Sequence, residues 1–132
     1  MDQDLKTIVN RWHIKANNDL LTIKDLFKSE NVITDSICFH SQQAVEKYLK
    51  SYLVALQKPF KNTHSITSIL KLCSAIDKDF EELDFAVYLT NYAVELRYPD
   101  DFYIPDLEEA KDAYEIALKV KSFVINKIDR NE

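Results

Sequence analysis

Apolar residues recur every three or four positions along much of the chain, the spacing that places side chains on one face of an α-helix. In the first segment this stripe comprises Ile8, Trp12, Ala16, Leu20, Ile23 and Phe27. It predicts a first helix over roughly residues 3 to 28. A polar connection, SENVITD, follows. Within it, Thr34 or Asp35 can cap a second helix by accepting a hydrogen bond from an unpaired N-terminal amide.

The second helix is predicted to run to about Gln57. Its apolar positions form one broad stripe, which three further residues widen towards burial on two sides. The stripe comprises Ile37, Ala44, Val45, Tyr48, Tyr52 and Leu56, and the additional residues are Phe39, Leu49 and Leu53. A helix that is apolar on two sides is expected to lie at the centre of a bundle.

Three shorter patterns complete the chain. After the stretch KPFKNTHS, a third helix is indicated by Ile66, Ile69, Leu70 and Cys73. The following SAIDKDFEEL is predicted as a linker. A fourth helix is expected from about Asp84 to Leu96, with one face formed by Phe85, Leu89, Tyr92, Ala93 and Leu96. It should end near Tyr98 because Pro99 disfavours helical geometry in the residue before it. Asp106 and Glu109 form a capping-box-like start for a long last helix.

These elements predict an all-α fold, an up-and-down bundle of four to five antiparallel helices. The 132 residues suffice for one hydrophobic core, so residues 1–132 are expected to form a single domain. The chain contains no glycine, which excludes phosphate-binding and dinucleotide-binding loops that depend on it. In helical bundles, ligand sites are common in the grooves between helices.

Charge and composition narrow the function classes. The net charge of −5 argues against nonspecific electrostatic binding of nucleic acid, but local recognition of a nucleotide or RNA is still possible. No apolar run approaches membrane-spanning length and no secretion signal precedes the first helix, so we expect a cytoplasmic protein without membrane association. Cys38 and Cys73 lack the paired spacing of a zinc or redox site and are expected to be buried thiols.

The least ordinary local sequence is FHSQQAVEKYLKSYL in helix two, where His40, Gln43 and Lys47 share one helical face. A neighbouring polar stripe comprises Gln42, Glu46 and Lys50. In a structural interpretation, His40 and Gln43 satisfy hydrogen bonds in the bundle while the lysines are solvated. In a functional interpretation, this face is a groove wall that holds a base edge and a phosphate.

The turn ELRYPDDFY contains the second candidate pair, Arg97 and Tyr98. Arginine offers a planar fork for phosphate, and tyrosine can stack on a base. Pairing of Arg97 with helix carbonyls or with a neighbouring carboxylate explains the residue equally well. Thr63 and His64 are most simply the start of helix three. The three histidines lie on separate elements and no catalytic triad is identifiable, so no catalytic residue, metal or cofactor is predicted.

Three segments together resemble the HEPN domain family: FHSQQAVEKYLK, THSITSILKL and RYPDDF, in this order and spacing over roughly residues 8 to 125. The first helix is similar to that of the family at Trp12, Ala16, Asp19 and Leu20. The resemblance implies an all-α bundle, frequent homodimerisation and a nucleotide-binding role. It also implies pairing with a small nucleotidyltransferase in prokaryotic toxin–antitoxin modules.

Many HEPN proteins are metal-independent ribonucleases whose motif is an arginine followed four to six residues later by a histidine. This chain departs from that pattern, since its arginines are residues 11, 97 and 130 and its histidines are residues 13, 40 and 64. Six residues after Arg97 lies Tyr103, whose phenol is a poor general base at neutral pH. We therefore expect no ribonuclease activity of the family type.

The leading hypothesis is a nucleotide-binding and protein-interaction module with its ligand along a groove lined by His40, Gln43, Lys47, Arg97 and Tyr98. The first alternative is a ribonuclease with a degenerate site, in which Arg97 and Tyr103 act with His40 from a neighbouring helix or subunit. The second alternative is a purely structural partner protein whose polar helix-two face is an interface.

Overall fold

The computed structural model describes residues 1–93 and 102–131. This part of the chain forms four α-helices and one 3₁₀ helix, without a strand. The helices are α1 (Gln3–Lys28), α2 (Thr34–Ala55), α3 (Ile66–Ile76), the 3₁₀ helix (Lys78–Ala93) and α4 (Leu107–Arg130). The predicted all-α bundle is confirmed, and α1 spans the predicted residues.

Helix α2 is the centre of the bundle, as its two-sided apolar pattern predicted. Fourteen of its 22 residues are buried, and it packs against each of the other four helices. Its side chains Tyr48, Leu49, Tyr52 and Leu53 are at most 1% exposed. Polar side chains in the middle of α2 therefore lie close to the core, where they need hydrogen-bond partners.

Both ends of α2 differ from the prediction. The N-cap is Ile33, with no side-chain capping bond, because the Thr34 hydroxyl instead donates to the Pro105 carbonyl 2.6 Å away. At the other end the helix stops at Ala55, two residues before the predicted end. Gln57 adopts φ 55°, the left-handed geometry that glycine usually supplies at a helix C-terminus and that this glycine-free chain must assign to another residue.

The fourth helix is a 3₁₀ helix that starts earlier than predicted, since it runs from Lys78 to Ala93 through most of the predicted linker SAIDKDFEEL. The predicted helix end near Tyr98 lies outside the described residues. Five of the six buried residues of the 3₁₀ helix fit this geometry, because they follow each other at intervals of three: Phe80, Leu83, Ala86, Leu89 and Tyr92. In a 3₁₀ helix with 3.0 residues per turn, such positions line up along one edge. Phe85, assigned to the buried face of an α-helix, is 43% exposed instead.

The other helix starts are capped by side chains. Asp106 accepts a hydrogen bond from the Glu109 amide at 2.8 Å, which confirms the predicted start of the last helix, α4. Ser65 accepts from the Ser68 amide at 3.2 Å, so α3 begins after Thr63 and His64 rather than at them. His64 is thereby left outside the helix and available for a contact with α2.

Both thiols are buried, as predicted: Cys38 and Cys73 have no exposed surface. Burial raises the pKa of each thiol to about 12, so both stay protonated and unreactive at neutral pH. Among the described residues, none of the helices combines the length and the apolarity needed to cross a membrane.

Candidate functional site

Asp19 on α1 brings two of the predicted site residues together. Its carboxylate is 2.7 Å from His40 Nδ1 and accepts a hydrogen bond from Lys47 Nζ at 2.6 Å, through different oxygens. The side chain of Asp19 is only 9% exposed, whereas those of His40 and Lys47 are 28% and 25% exposed. The carboxylate therefore joins α1 to α2 and fixes the positions of both basic side chains.

The role of Asp19 was not predicted, although its position on α1 indicates one. Asp19 lies three residues after Ala16 and four before Ile23, on the buried face of α1. A carboxylate on the apolar face of a helix needs a partner, because burying an unpaired charge is very unfavourable. The basic residues of the neighbouring helix α2 supply that partner.

Gln43, the third predicted residue on this face, belongs to a different cluster. Its amide donates to Gln42 Oε1 at 2.7 Å, and Gln42 donates in turn to the His64 carbonyl at 3.2 Å. Glu46 lies at the centre of this cluster, accepting from Lys50 Nζ at 3.2 Å and lying 2.8 Å from His64 Nδ1. We call Gln42, Gln43, Glu46, Lys50 and His64 the Glu46 cluster.

Burial makes the Glu46 cluster mainly structural. Gln42 is fully buried, and Glu46 and Lys50 are 3% and 5% exposed, so Lys50 is not the solvated lysine of the structural interpretation. No buried side-chain nitrogen or oxygen among residues 1–93 and 102–131 lacks a hydrogen-bond partner. A charged pair in such surroundings is held in place because either charge alone would be strongly destabilising.

A cleft between α1 and α2 lies beside Lys47. It has a volume of about 300 Å³ and is lined by Ile8, Arg11, Trp12, Lys15 and Lys47. Arg11 and Lys15 are exposed, and neither pairs with a carboxylate within the described part of the chain. Lys47 adds a third positive charge, held at the cleft by Asp19. We call this site the α1–α2 cleft.

The aromatic component of the α1–α2 cleft is Trp12, the only tryptophan of the chain. The ring is partly buried and meets Phe60 edge to face, with the ring centroids 6.1 Å apart. An indole beside three cations can stack on a base while the cations bind phosphate oxygens. Of the predicted site residues that the structure describes, His40, Gln43 and Lys47, only Lys47 lines this cleft. Arg97 and Tyr98 lie outside the described residues.

Tyr103 is held by a carboxylate rather than free to act as a base. Its phenol donates a hydrogen bond to Glu109, and so does the phenol of Tyr92. The bond to Glu109 raises the pKa of Tyr103, and burial together with the same carboxylate raises that of Tyr92. A phenol that is harder to deprotonate is a still poorer general base, which weighs against the ribonuclease alternative.

The described residues contain no group of three or more His, Cys, Asp or Glu side chains that could hold a metal ion. The polar groups of the region can bind an anion or a base.

Comparison with known proteins identifies one family. The family model described as HEPN domain matches residues 9–128, nearly the whole chain. The comparisons found no match among curated proteins and none among solved structures.

Proposed function

The chain belongs to the HEPN domain family, and from that premise we propose that it is a cytoplasmic nucleotide-binding and protein-interaction module whose ligand occupies the α1–α2 cleft. The observation that carries the proposal is the composition of this cleft, with Arg11, Lys15 and Lys47 around Trp12. The family assignment supports a nucleotide- or RNA-related role, and the cleft supplies the matching chemistry.

Each cleft residue has a distinct part in the proposed binding. Arg11 can bind phosphate oxygens through two N–H groups, while Lys15 contributes a point charge. Lys47 lies beside them in a fixed position because Asp19 accepts its hydrogen bond. Trp12 stacks on the base. The volume of about 300 Å³ lies at the lower end of the range for small-ligand sites, which fits a mononucleotide.

This site modifies the predicted groove. Lys47 is retained as a lining residue, and His40 is retained as the second group bonded to Asp19. Gln43 is left out of the proposed site, because its amide already donates hydrogen bonds within the Glu46 cluster. Arg11 and Lys15 are added to it. Arg97 and Tyr98 stay in the proposal on the strength of their sequence alone.

Protein partners are the second element of the proposal. We propose a homodimer that works with a small nucleotidyltransferase in a prokaryotic toxin–antitoxin-like system. Large apolar side chains on the surface support association, because extended exposed apolar patches favour protein contacts. Exposed residues before and at the start of α4 are Phe102, Ile104 and Leu107, and those on the 3₁₀ helix are Phe85 and Tyr88.

Isothermal calorimetry against ATP, other nucleotides and a short RNA tests nucleotide binding. We expect Arg11→Ala to weaken binding about tenfold, the effect of losing one charge-assisted contact, and Lys47→Ala and Arg97→Ala to weaken it as well. Lys24→Ala is the matched control, since Lys24 is also exposed on α1 but lies nine residues, about two and a half turns, beyond Lys15. Circular dichroism checks that helical content is unchanged.

A purely structural partner protein is the second candidate, favoured by the complete pairing of buried polar groups among the described residues. Under that hypothesis calorimetry gives no heat with any nucleotide, and a native mass measurement gives a dimer that retains no small molecule. Saturable binding that Arg11→Ala weakens and Lys24→Ala does not would contradict it.

A further inference from the structure

A second cavity lies next to the α1–α2 cleft. It measures about 580 Å³ and is formed by the connection between α2 and α3 together with one side of α3. Its lining residues are Pro59, Phe60, Lys61, Thr63, Ser68 and Leu72. We call it the α2–α3 cavity. Like the cleft, it contains an aromatic ring and a basic side chain, and it adds two hydroxyl groups.

The two cavities meet at a pair of aromatic rings. Trp12 lines the cleft, Phe60 lines the α2–α3 cavity, and the ring centroids are 6.1 Å apart at an interplanar angle of 72°. The Lys50 ammonium, which is buried and paired with Glu46, lies 5.8 Å from the centre of the Phe60 ring. A ligand that fills the cleft and continues past Trp12 therefore reaches Phe60 next.

The charged residues that line these two cavities differ from those that line a third. The described lining of the cleft and of the α2–α3 cavity contains no carboxylate, although the chain has 22 acidic residues. It contains four basic residues, Arg11, Lys15, Lys47 and Lys61, of which Lys47 is paired with Asp19. The third cavity, between α3 and the 3₁₀ helix, is instead lined by Glu81 and Asp84 beside a single lysine. Of these three cavities, the first two therefore favour an extended anion.

We propose that the cleft and the α2–α3 cavity form one continuous binding track for single-stranded nucleic acid of two or more nucleotides. This inference rests on the proposed nucleotide-binding function and extends it from a mononucleotide to a short strand. Cations that follow a backbone, with aromatic rings on which successive bases stack, are the general features of single-strand binding. An acidic peptide would use the basic side chains but gain little from Trp12 and Phe60.

Thr63 and Ser68 complete the α2–α3 half of the track. The Thr63 hydroxyl oxygen accepts a hydrogen bond from the Ser65 amide at 3.1 Å, so its own proton is left for a phosphate oxygen. Ser68 is exposed and Lys61 is exposed, which places a charge and two hydroxyl donors around the position of a second phosphate. The second nucleotide would thus lie on Phe60 with its phosphate near Lys61.

The test compares ligand lengths in the full chain, with the fluorescence of Trp12 as the reporter. The probes are uridine monophosphate and oligouridylates of about two, four and eight nucleotides, a range that brackets the smallest single-strand sites. Affinity is expected to rise from the monophosphate to the four-nucleotide strand. A deoxythymidylate series run in parallel identifies the preferred sugar, and binding of either polymer supports the track.

Lys61→Ala distinguishes binding along the whole track from binding in the cleft alone, because Lys61 lines only the α2–α3 cavity of the two. We expect it to weaken tetranucleotide binding about fivefold and to lower the salt dependence by about 0.7, the contribution of one phosphate contact, while binding of the monophosphate stays unchanged. Lys58→Ala is the matched control, since Lys58 is exposed in the same connection but does not line the cavity. It should change neither affinity.

Equal affinity for the monophosphate and the tetranucleotide, or no loss with Lys61→Ala, would overturn the track and leave the proposed nucleotide site intact. Absence of binding for every probe would overturn both proposals. Competition by polyglutamate as effective as that by the tetranucleotide would show that charge alone is recognised, which overturns the assignment to nucleic acid.

Discussion

Replacing Glu46 by glutamine should destabilise the protein strongly. Glu46→Gln preserves shape and leaves an acceptor for His64, but removes the negative charge beside the Lys50 ammonium. The two side chains are only 4% and 6% exposed, so solvent cannot replace the lost partner. Breaking a buried ion pair in this way costs about 3–5 kcal/mol, because one uncompensated charge remains buried.

A loss of this size is a large fraction of the total stability of an ordinary domain, about 5–15 kcal/mol. Urea unfolding followed by circular dichroism measures it. With a urea dependence of about 2 kcal/mol per molar, the midpoint should fall by roughly 2 M. Glu82→Gln, the same change at an exposed carboxylate of the 3₁₀ helix, should stay within about 0.5 kcal/mol of the parent protein.

The double variant Glu46→Gln/Lys50→Met distinguishes this mechanism from a general loss of packing. Methionine has a similar unbranched shape and carries no charge, so the double variant should recover most of the stability lost by Glu46→Gln alone. A cost below about 1 kcal/mol for Glu46→Gln, or a double variant less stable than the single one, would contradict the assignment of a buried ion pair.

Three further measurements follow from the structure. Gln57→Gly should raise Tm by roughly 3 °C, because glycine relieves the left-handed strain at φ 55°; no rise would exclude strain at this position. Burial lowers the pKa of His13 below its ordinary 6.5. The unfolded chain therefore binds the proton more readily, and the stability that neutral His13 contributes above about pH 6.5 is lost as the pH falls. His13→Gln should remove this contribution to the pH dependence, which is measured as the urea midpoint at several pH values below and above 6.5. Cys38 and Cys73, with pKa values raised to about 12, should react with a thiol reagent only after urea unfolding, and rapid labelling of the native protein would contradict their burial.

Local patterns were sufficient where one face of a helix meets the core. The three- and four-residue spacing of apolar residues located α1 and the central position of α2, and the Asp106 cap marked the start of α4. The 3₁₀ helix was mispredicted because Phe85 and Leu89 also fit an α-helical face. Its buried residues at strict three-residue intervals, from Phe80 to Tyr92, could have identified the tighter helix from the sequence alone.

Only part of the candidate site could be predicted from the sequence. The sequence identified helix two as unusual and placed His40 and Lys47 on one face, and the family resemblance was confirmed over residues 9–128. The prediction grouped these two residues with Gln43. It did not include Asp19, Arg11 and Trp12, which lie on α1. Helical periodicity describes neighbours within one helix and carries no information about which helix packs opposite.

The sequence alone was therefore enough for the fold class, the positions of most helices and the family, because these depend on spacing along the chain and on local motifs. Tertiary structure decided the partners of the charges. Asp19 meets Lys47 across 28 positions, and Glu46 meets His64 across 18. Such pairings depend on the packing angle and register of two helices, which are set by the whole core rather than by any local segment.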